Sequence, residues 1–452
     1  MTPEYDVLIR GGLVVTGGGC WPADVCVKNG QIAALATPGV SPRRAGRVID
    51  AHDCLILPGA VDIHTHPVYL DDLHGISVTA ACGGVTTMVH YAYAKPGMKL
   101  MVTLERFCEE GQAGSLLDFG LHGGLFDVGH QLEEVPDAFK FGVTSFKVFM
   151  TYAKLGWMTD DYWLTALLDV VGHEHGLVAV HAENGLATDY LEDKFLREGR
   201  SPVETFTAMR PDVLEAEAIN RAIALAQVAG CALYIVHNSA AACLEPLRRA
   251  QARGWRVYGE TCPQYLTLTE ETTLKLGALA KIGPPLRTVA DNQVLWEGLL
   301  DGTLQTVGSD HAPKAKKTSD DFFAAPYGSP QIETMLPVMY DAAVVGRKIP
   351  VTRLVQWMSE NPARLVGLYP RKGVLRVGSD ADLVIFDQRR RHALNAATPH
   401  SSADYTLYEG RVITGAPVLT MQRGEVIVEQ GRVVAQPGRA QFLATETGHL
   451  YN

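Results

Sequence analysis

Eight short apolar runs alternate with longer alanine- and leucine-rich stretches through the middle of this 452-residue chain. They are LPGAVDIH, VTTMVHYA, LLDFGLHGG, VTSFKVFM, LVAVHAEN, ALYIVHNS, WRVYGETC and LQTVGSDH. Helical segments such as TDDYWLTALLDVVGHEHG and VLEAEAINRAIALAQVAG lie between some of them. That alternation predicts an α/β protein built on a (β/α)8 barrel of the TIM type. A doubly wound sheet is the structural alternative, but no G-x-G-x-x-G opens a helix after the first strand.

Both chain ends have a different texture. YDVLIRGGLVV and ADVCVKNGQIAAL at the start, then GVLRVGSDADLVIFD and RVITGAPVLTMQRGEVIVEQGRVVA near the finish, read as antiparallel hairpins punctuated by glycine. They predict one small β-sandwich domain contributed by residues 1–57 and 369–452, interrupted by a barrel over 58–368. A chain of this length, 47% hydrophobic, accommodates one large unit and a smaller one.

Composition narrows the partners. A formal charge of −10 and the lack of a long lysine/arginine tract argue against nucleic acid. The densest basic cluster, KAKK at Lys314 to Lys317, reads as a solvated loop. No signal-like start and no uninterrupted apolar span predict a cytoplasmic protein without membrane contact. Eight scattered cysteines with no C-x-x-C suit reduced thiols.

The chemistry gathers where the runs end. In a strand, residues i and i+2 share a face, so His64 and His66 of GAVDIHTHP project together. Lys147 lies in the fourth run, His181 in the fifth, His237 in the sixth and Asp310 in the eighth. Barrel active sites sit at the C-terminal ends of strands, so these groups converge and form a candidate metal site. By contrast, the His173 and His175 pair ends a helical stretch, where i and i+2 diverge by roughly 200°, and reads as surface. His90 and His122 read as core; His311, beside Asp310, is expected to face substrate. Lys147 cannot bind a cation as an ammonium. Burial among Phe146, Val148 and Phe149 favours the free amine, which adds CO2 to give a carbamate with two oxygens, one for each of two metals.

Together GAVDIHTH, TSFKVFMTY, VAVHAENG, IVHNSA, GETCPQYL, PPLR and GSDHAP resemble the cyclic-amide hydrolases of the amidohydrolase superfamily. The likeness leans to the hydantoinase/dihydropyrimidinase group, with allantoinase and dihydroorotase as cousins. It implies two divalent ions, zinc as the expected metal. His64, His66 and Asp310 would hold one ion, His181 and His237 the other, and carbamylated Lys147 would bridge them with hydroxide. Asp310 would shuttle the proton, and Tyr152 would bond the developing oxyanion. The site's net charge near +1 would suit a neutral amide that becomes anionic in its transition state. Tyr152, Gly283 and Tyr327 fall at substrate-binding positions, although the group commonly has serine at the second and asparagine at the third.

The loops after strands one, two and four carry Tyr69, Leu70, Tyr91, Tyr93, Leu155, Trp157 and Met158, expected to line a pocket for an apolar ring substituent. Hydrolysis of a hydantoin or dihydropyrimidine is the leading expectation. An allantoinase-like activity on another ring and a non-catalytic scaffold on the same fold are the alternatives. A homotetramer or dimer is implied by the resemblance.

Overall fold

The computed structural model describes residues 4–40, 45–396 and 400–447. Five strands come first: β1 (Tyr5–Thr16), β2 (Gly19–Lys28), β3 (Gln31–Ala36), β4 (Ala45–Asp50) and β5 (Leu55–Pro58). The next eight are β6 (Ala60–Thr65), β7 (Val85–Ala94), β8 (Asp118–Leu125), β9 (Ser145–Phe149), β10 (Leu177–His181), β11 (Ala232–Ile235), β12 (Val257–Thr261) and β13 (Thr306–Val307). Each of these eight pairs in parallel with its sequence neighbour. An isolated parallel bridge between Thr65 and His311 brings the last segment back to the first. The eight runs are therefore the eight staves of a nearly closed barrel.

Burial explains why these runs do not alternate. All ten residues of β7 and all eight of β8 are buried, because helices cover one face and the barrel interior the other. The helix Asp212–Ala229 shows the complementary pattern: Ala218, Ile219, Ala222, Ile223 and Ala226 form one buried stripe. Asp160 and Asn184 cap the helices Asp161–His173 and Gly185–Arg197 by accepting from Trp163 N and Ala187 N. Inside the barrel, Ala363, Leu365, Val366 and Leu368 pack with Leu177 and Ala232, the first residues of β10 and β11. They stop the end from which the strands start and leave the opposite rim for chemistry.

The ends form one sheet, completed by β14 (Leu383–Ala393), β15 (Val412–Gln422), β16 (Glu425–Glu429) and β17 (Arg432–Val433). β1 is its fork: its first half pairs with β4, its second with β5, and β2 runs antiparallel along the other edge. A bulge between Ile9 and Gly12 bends β1, with Gly11 at φ 78°. Val25, Val27 and Ile32 from one side share a core with Leu419, Met421 and Val426 from the other. The sheet thus folds over itself into the expected sandwich-like unit. Lys372, fully buried, joins it to the barrel: its Nζ lies 2.8 Å from Asp118 at the start of β8 and 2.8 Å from Asp382 just before β14. Among the described residues no helix is long and apolar enough to cross a membrane.

Candidate active site

His64 ends near the top of β6, His66 follows it, Lys147 is central in β9 and His181 is the last residue of β10. His237 and Asp310 stand just beyond β11 and β13, each in the left-handed backbone region, at φ 41° and 51°. Tyr152 is a third such residue, at 66°. Side chains with a Cβ rarely adopt this conformation, at a cost of about 1–3 kcal/mol each. Three of them around one cavity mark a place where geometry is held against local preference.

The six groups expected to meet do meet, on the wall of a cavity of about 390 Å³. His64 Nε2 and His66 Nε2 lie 3.2 and 2.9 Å from Asp310 Oδ1. Potential ligand atoms of these three residues all fall within 4.8 Å of one another. His181 Nδ1 and His237 Nε2 face each other at 3.1 Å. In three of the four imidazoles the ring nitrogen turned away from the cluster has its own partner. His64 Nδ1 donates to Glu260 Oε1 at 2.5 Å, and His181 Nε2 donates to Glu183 Oε2 at 2.6 Å. The Tyr93 hydroxyl bonds His66 Nδ1 at 2.8 Å.

Electrostatics agree with this division for three of the four imidazoles, while His64 keeps a proton that a bound ion would have to displace. Burial lowers His66 to about 4, holds His237 far below the ordinary imidazole value and lowers His181, so these rings offer lone pairs at neutral pH. Burial also pulls on His64, but the Glu260 and Asp310 carboxylates outweigh it and leave the ring at about 9. Although burial disfavours its charge, the facing His64 and His66 imidazoles hold the Asp310 carboxyl far below the carboxylate norm. Lys147 is fully buried, its Nζ without a hydrogen-bond partner and 5.3 and 5.0 Å from the Tyr91 and Phe149 ring centres. Burial brings it down to about 7. A buried, unpartnered amine lining the same cavity as the clustered His64, His66 and Asp310 ligand atoms is what a metal pair bridged by a carbamate needs, so the residues present fit that group.

Sequence reasoning missed the residues that aim the ligands. Glu260 accepts from His64 Nδ1, from His237 N at 3.0 Å and from Tyr234 OH at 2.5 Å. Gly308 lets it approach: a Cβ there would sit 2.5 Å from Glu260 Oε2 and 3.0 Å from His64 Cβ. Arg210 donates to Glu183 at 2.6 Å and to the Tyr327 hydroxyl at 3.1 Å, and faces the Tyr152 ring. A carboxylate two residues after His181 in HAENG was the available signal for Glu183. Nothing local marks Arg210.

Tyr152, Gly283 and Tyr327 all line the cavity. The unusual residues at 283 and 327 belong together, because a Cβ on Gly283 would stand 2.7 Å from the Tyr152 hydroxyl and 3.2 Å from Tyr327 Cδ1. The Tyr327 ring occupies space that a side chain at 283 would need. Of the loop residues expected in the pocket, Tyr69, Tyr93, Leu155 and Trp157 line it, while Leu70, Tyr91 and Met158 do not. Tyr91 is buried beneath it against His64 and Lys147.

Two expectations need correcting. His311 does not face the cavity: its Nε2 bonds Asp71 at 2.9 Å and its Nδ1 accepts from Gln331 N and Ile332 N. The backbone turn at Asp310 sends it outward. KAKK is not a solvated loop either, since Lys314 lines the cavity and Lys316 is buried. His173 and His175 are exposed, and His90 and His122 are buried on Thr65, Ser145 and the Ile63 carbonyl, as expected.

Known proteins agree with this geometry. The model of the amidohydrolase family matches residues 55–415. The chain is 38% identical to a D-hydantoinase of Rhizobium radiobacter, across 97% of this chain and 98% of that protein. It is 37% identical to a D-phenylhydantoinase of Escherichia coli strain UTI89, across 97% of each. Among solved structures, a D-hydantoinase superposes with a TM-score of 0.92 at 36% identity, covering 97% of this chain and 99% of that one. An L-hydantoinase (dihydropyrimidinase) from Arthrobacter aurescens does so at 0.92 and 33% identity, covering 98% and 100%. With the family model spanning most of its length, the chain belongs to the amidohydrolase family.

Proposed function

We propose that this protein is a metal-dependent hydrolase that opens a cyclic amide of the hydantoin or dihydropyrimidine type. The observation that carries the reading is the partnerless buried Lys147 amine among His64, His181 and His237, at a rim where relatives named hydantoinase share almost the whole chain. His64, His66 and Asp310 would hold one divalent ion and His181 with His237 a second, zinc being the expected metal, with carbamylated Lys147 between them. When bound, such ions supply Lewis acidity and hydroxide at neutral pH.

The chain's own groups do the rest. Asp310, held ionised, takes the nucleophile's proton at a carboxylate oxygen and passes it to the leaving ring nitrogen. Burial raises the Tyr152 phenol far above its ordinary value, so its hydroxyl stays protonated and donates to the oxyanion that develops on the carbonyl. Gly283 offers its main chain beside that hydroxyl, and Tyr327 closes the same wall. Glu183, locked by Arg210, keeps His181 in one tautomer. Phe126, Phe149 and Trp157 stack on one another beside Tyr152 and accept the apolar body of a ring substituent.

A homotetramer or dimer belongs to this reading, supported by exposed Tyr162, Leu186 and Tyr190; light scattering checks it. A cytoplasmic location is supported by eight free thiols. The decisive experiment is ring opening of hydantoin, dihydrouracil, allantoin and dihydroorotate, with metal content measured in parallel. Opening of the first two, lost on chelation and regained on adding zinc, is expected. Two ions per chain with no ring opened would refute it, and no bound ion at all would favour the scaffold.

A further inference from the structure

Besides Lys147, four cationic side chains line the cavity together with the Asp189 and Glu192 carboxylates, and the cations differ in one respect. Lys154 Nζ is engaged by Asp193 at 2.7 Å and by Glu192 at 3.5 Å, and Arg210 is engaged by Glu183. Lys281 and Lys314 have no such partner: among the described residues no carboxylate lies within ion-pair distance of either. Lys281 Nζ donates to the Phe323 carbonyl at 2.9 Å and sits 4.6 Å from the Tyr327 ring centre. Lys314 Nζ lies over the face of Tyr69, whose ring is 6.2 Å from that of His66. Both ammonium groups thus lie against the aromatic wall of the cavity, Lys314 one ring from His66 through Tyr69 and Lys281 two rings from His181 through Tyr327 and Tyr152.

That wall is built firmly. Lys316 is buried and donates to Leu279 O at 3.0 Å, Lys281 O at 3.1 Å and Gly328 O at 2.6 Å, tying the Lys281 backbone to the segment that carries Lys314. Burying these two ammonium groups costs desolvation energy that a carbonyl and aromatic faces offset only in part, since among the described residues no carboxylate pairs directly with either. Burial draws Lys314 down to about 7 and Lys281 to about 8, the direction an incoming anion reverses.

We propose that Lys314, aided by Lys281, forms a subsite for a carboxylate carried on the ring substituent, so that the preferred substrates are acidic cyclic ureides and not purely apolar ones. The inference rests on the cyclic-amide reading for its substrate class. The apolar wall around Phe126 and Trp157 receives the substituent's body; the lysines receive its charged end.

The test compares two nearly isosteric substrates, 5-carboxymethylhydantoin and 5-carbamoylmethylhydantoin, on the zinc-loaded full-length protein. The readout is the ratio of their kcat/KM values in wild type, Lys314→Met and Lys281→Met. A charge-assisted contact predicts a wild-type ratio of about tenfold to a hundredfold in favour of the carboxylate. Lys314→Met should bring that ratio to about one, and Lys314→Arg should restore most of it. Lys314→Gln serves where the methionine variant fails to fold. A wild-type ratio at or below one, or a preference that survives both lysine substitutions, overturns the proposal. Calorimetric binding of the ring-opened products, N-carbamoyl-aspartate against N-carbamoyl-asparagine, separates the two readings. Carboxylate preference lost in Lys314→Met, with no ring opened by any form, keeps the subsite and removes the cyclic-amide reading. Ring opening with equal binding of both products does the reverse. Equal competition by inorganic phosphate would also overturn the proposal, as it would show a general anion site.

Discussion

Strip divalent ions from the protein, hold dissolved CO2 constant, and follow carbamate formation on Lys147 from about pH 6 to about pH 9. The reacting species is the free amine, R–NH2 + CO2 → R–NHCOO− + H+, so the rate follows the deprotonated fraction and rises with pH until the amine is fully neutral. Burial lowers Lys147 from 10.5 to about 7. At pH 8 that leaves about nine-tenths of it as free amine, against about 0.3% for a solvated lysine, a difference of about 300-fold. Carbon-13 NMR with labelled CO2 reads the carbamate directly, and Lys147→Met supplies the blank. The expected rate is half-maximal near neutrality and nearly flat above about pH 8. A half-maximum at about pH 10, or an equal signal in the blank, would refute the argument that burial prepares this lysine.

Other consequences are as direct. In Lys147→Ala the second ion should be lost, and a short carboxylate such as acetate or propionate should restore part of the metal content and activity; full metal content without it would contradict the bridging role. Glu260→Ala removes the acceptor that orients His64 and the His237 backbone, so metal affinity by chelator competition should fall by about 10–100-fold with the fold intact by circular dichroism. Tyr152→Phe deletes one oxyanion donor and should lower kcat by about 10²–10³ with little change in KM, and an unchanged kcat would remove Tyr152 from the mechanism. Lys372→Met removes the buried cation that Asp118, Asp380 and Asp382 share, leaving Asp382 without an ion-pair partner, and should cost about 3–5 kcal/mol in denaturant unfolding while sparing metal content.

Much of this was legible in the chain because barrels report themselves locally. Each stave is a short apolar run, and each ligand comes at or just after the end of one, so His64, His66, His181, His237 and Asp310 could be placed on one rim from order alone. Lys147 stood out because a cationic residue in VTSFKVFM has no ordinary reason to be buried. The failures share a cause. His311 was expected to face substrate from strand alternation, but alternation ends where Asp310 turns into the left-handed region. KAKK was read as solvated because charge runs usually are, and nothing near it in sequence shows that residues 279–281 and 328 would enclose Lys316.

Sequence alone determined the barrel, the sheet shared by the two ends, and which histidines and carboxylate would meet at the rim, since all three follow from patterns that repeat over short stretches. Tertiary structure alone decided how those residues are aimed and what else faces the substrate. Glu260 reaches His64 from 196 positions away, and Arg210 meets Tyr327 across 117. Lys281 and Lys314 come to one wall from separate loops. Such pairings arise only when the barrel closes and brings the ends of distant strands to one rim, and no local propensity encodes them.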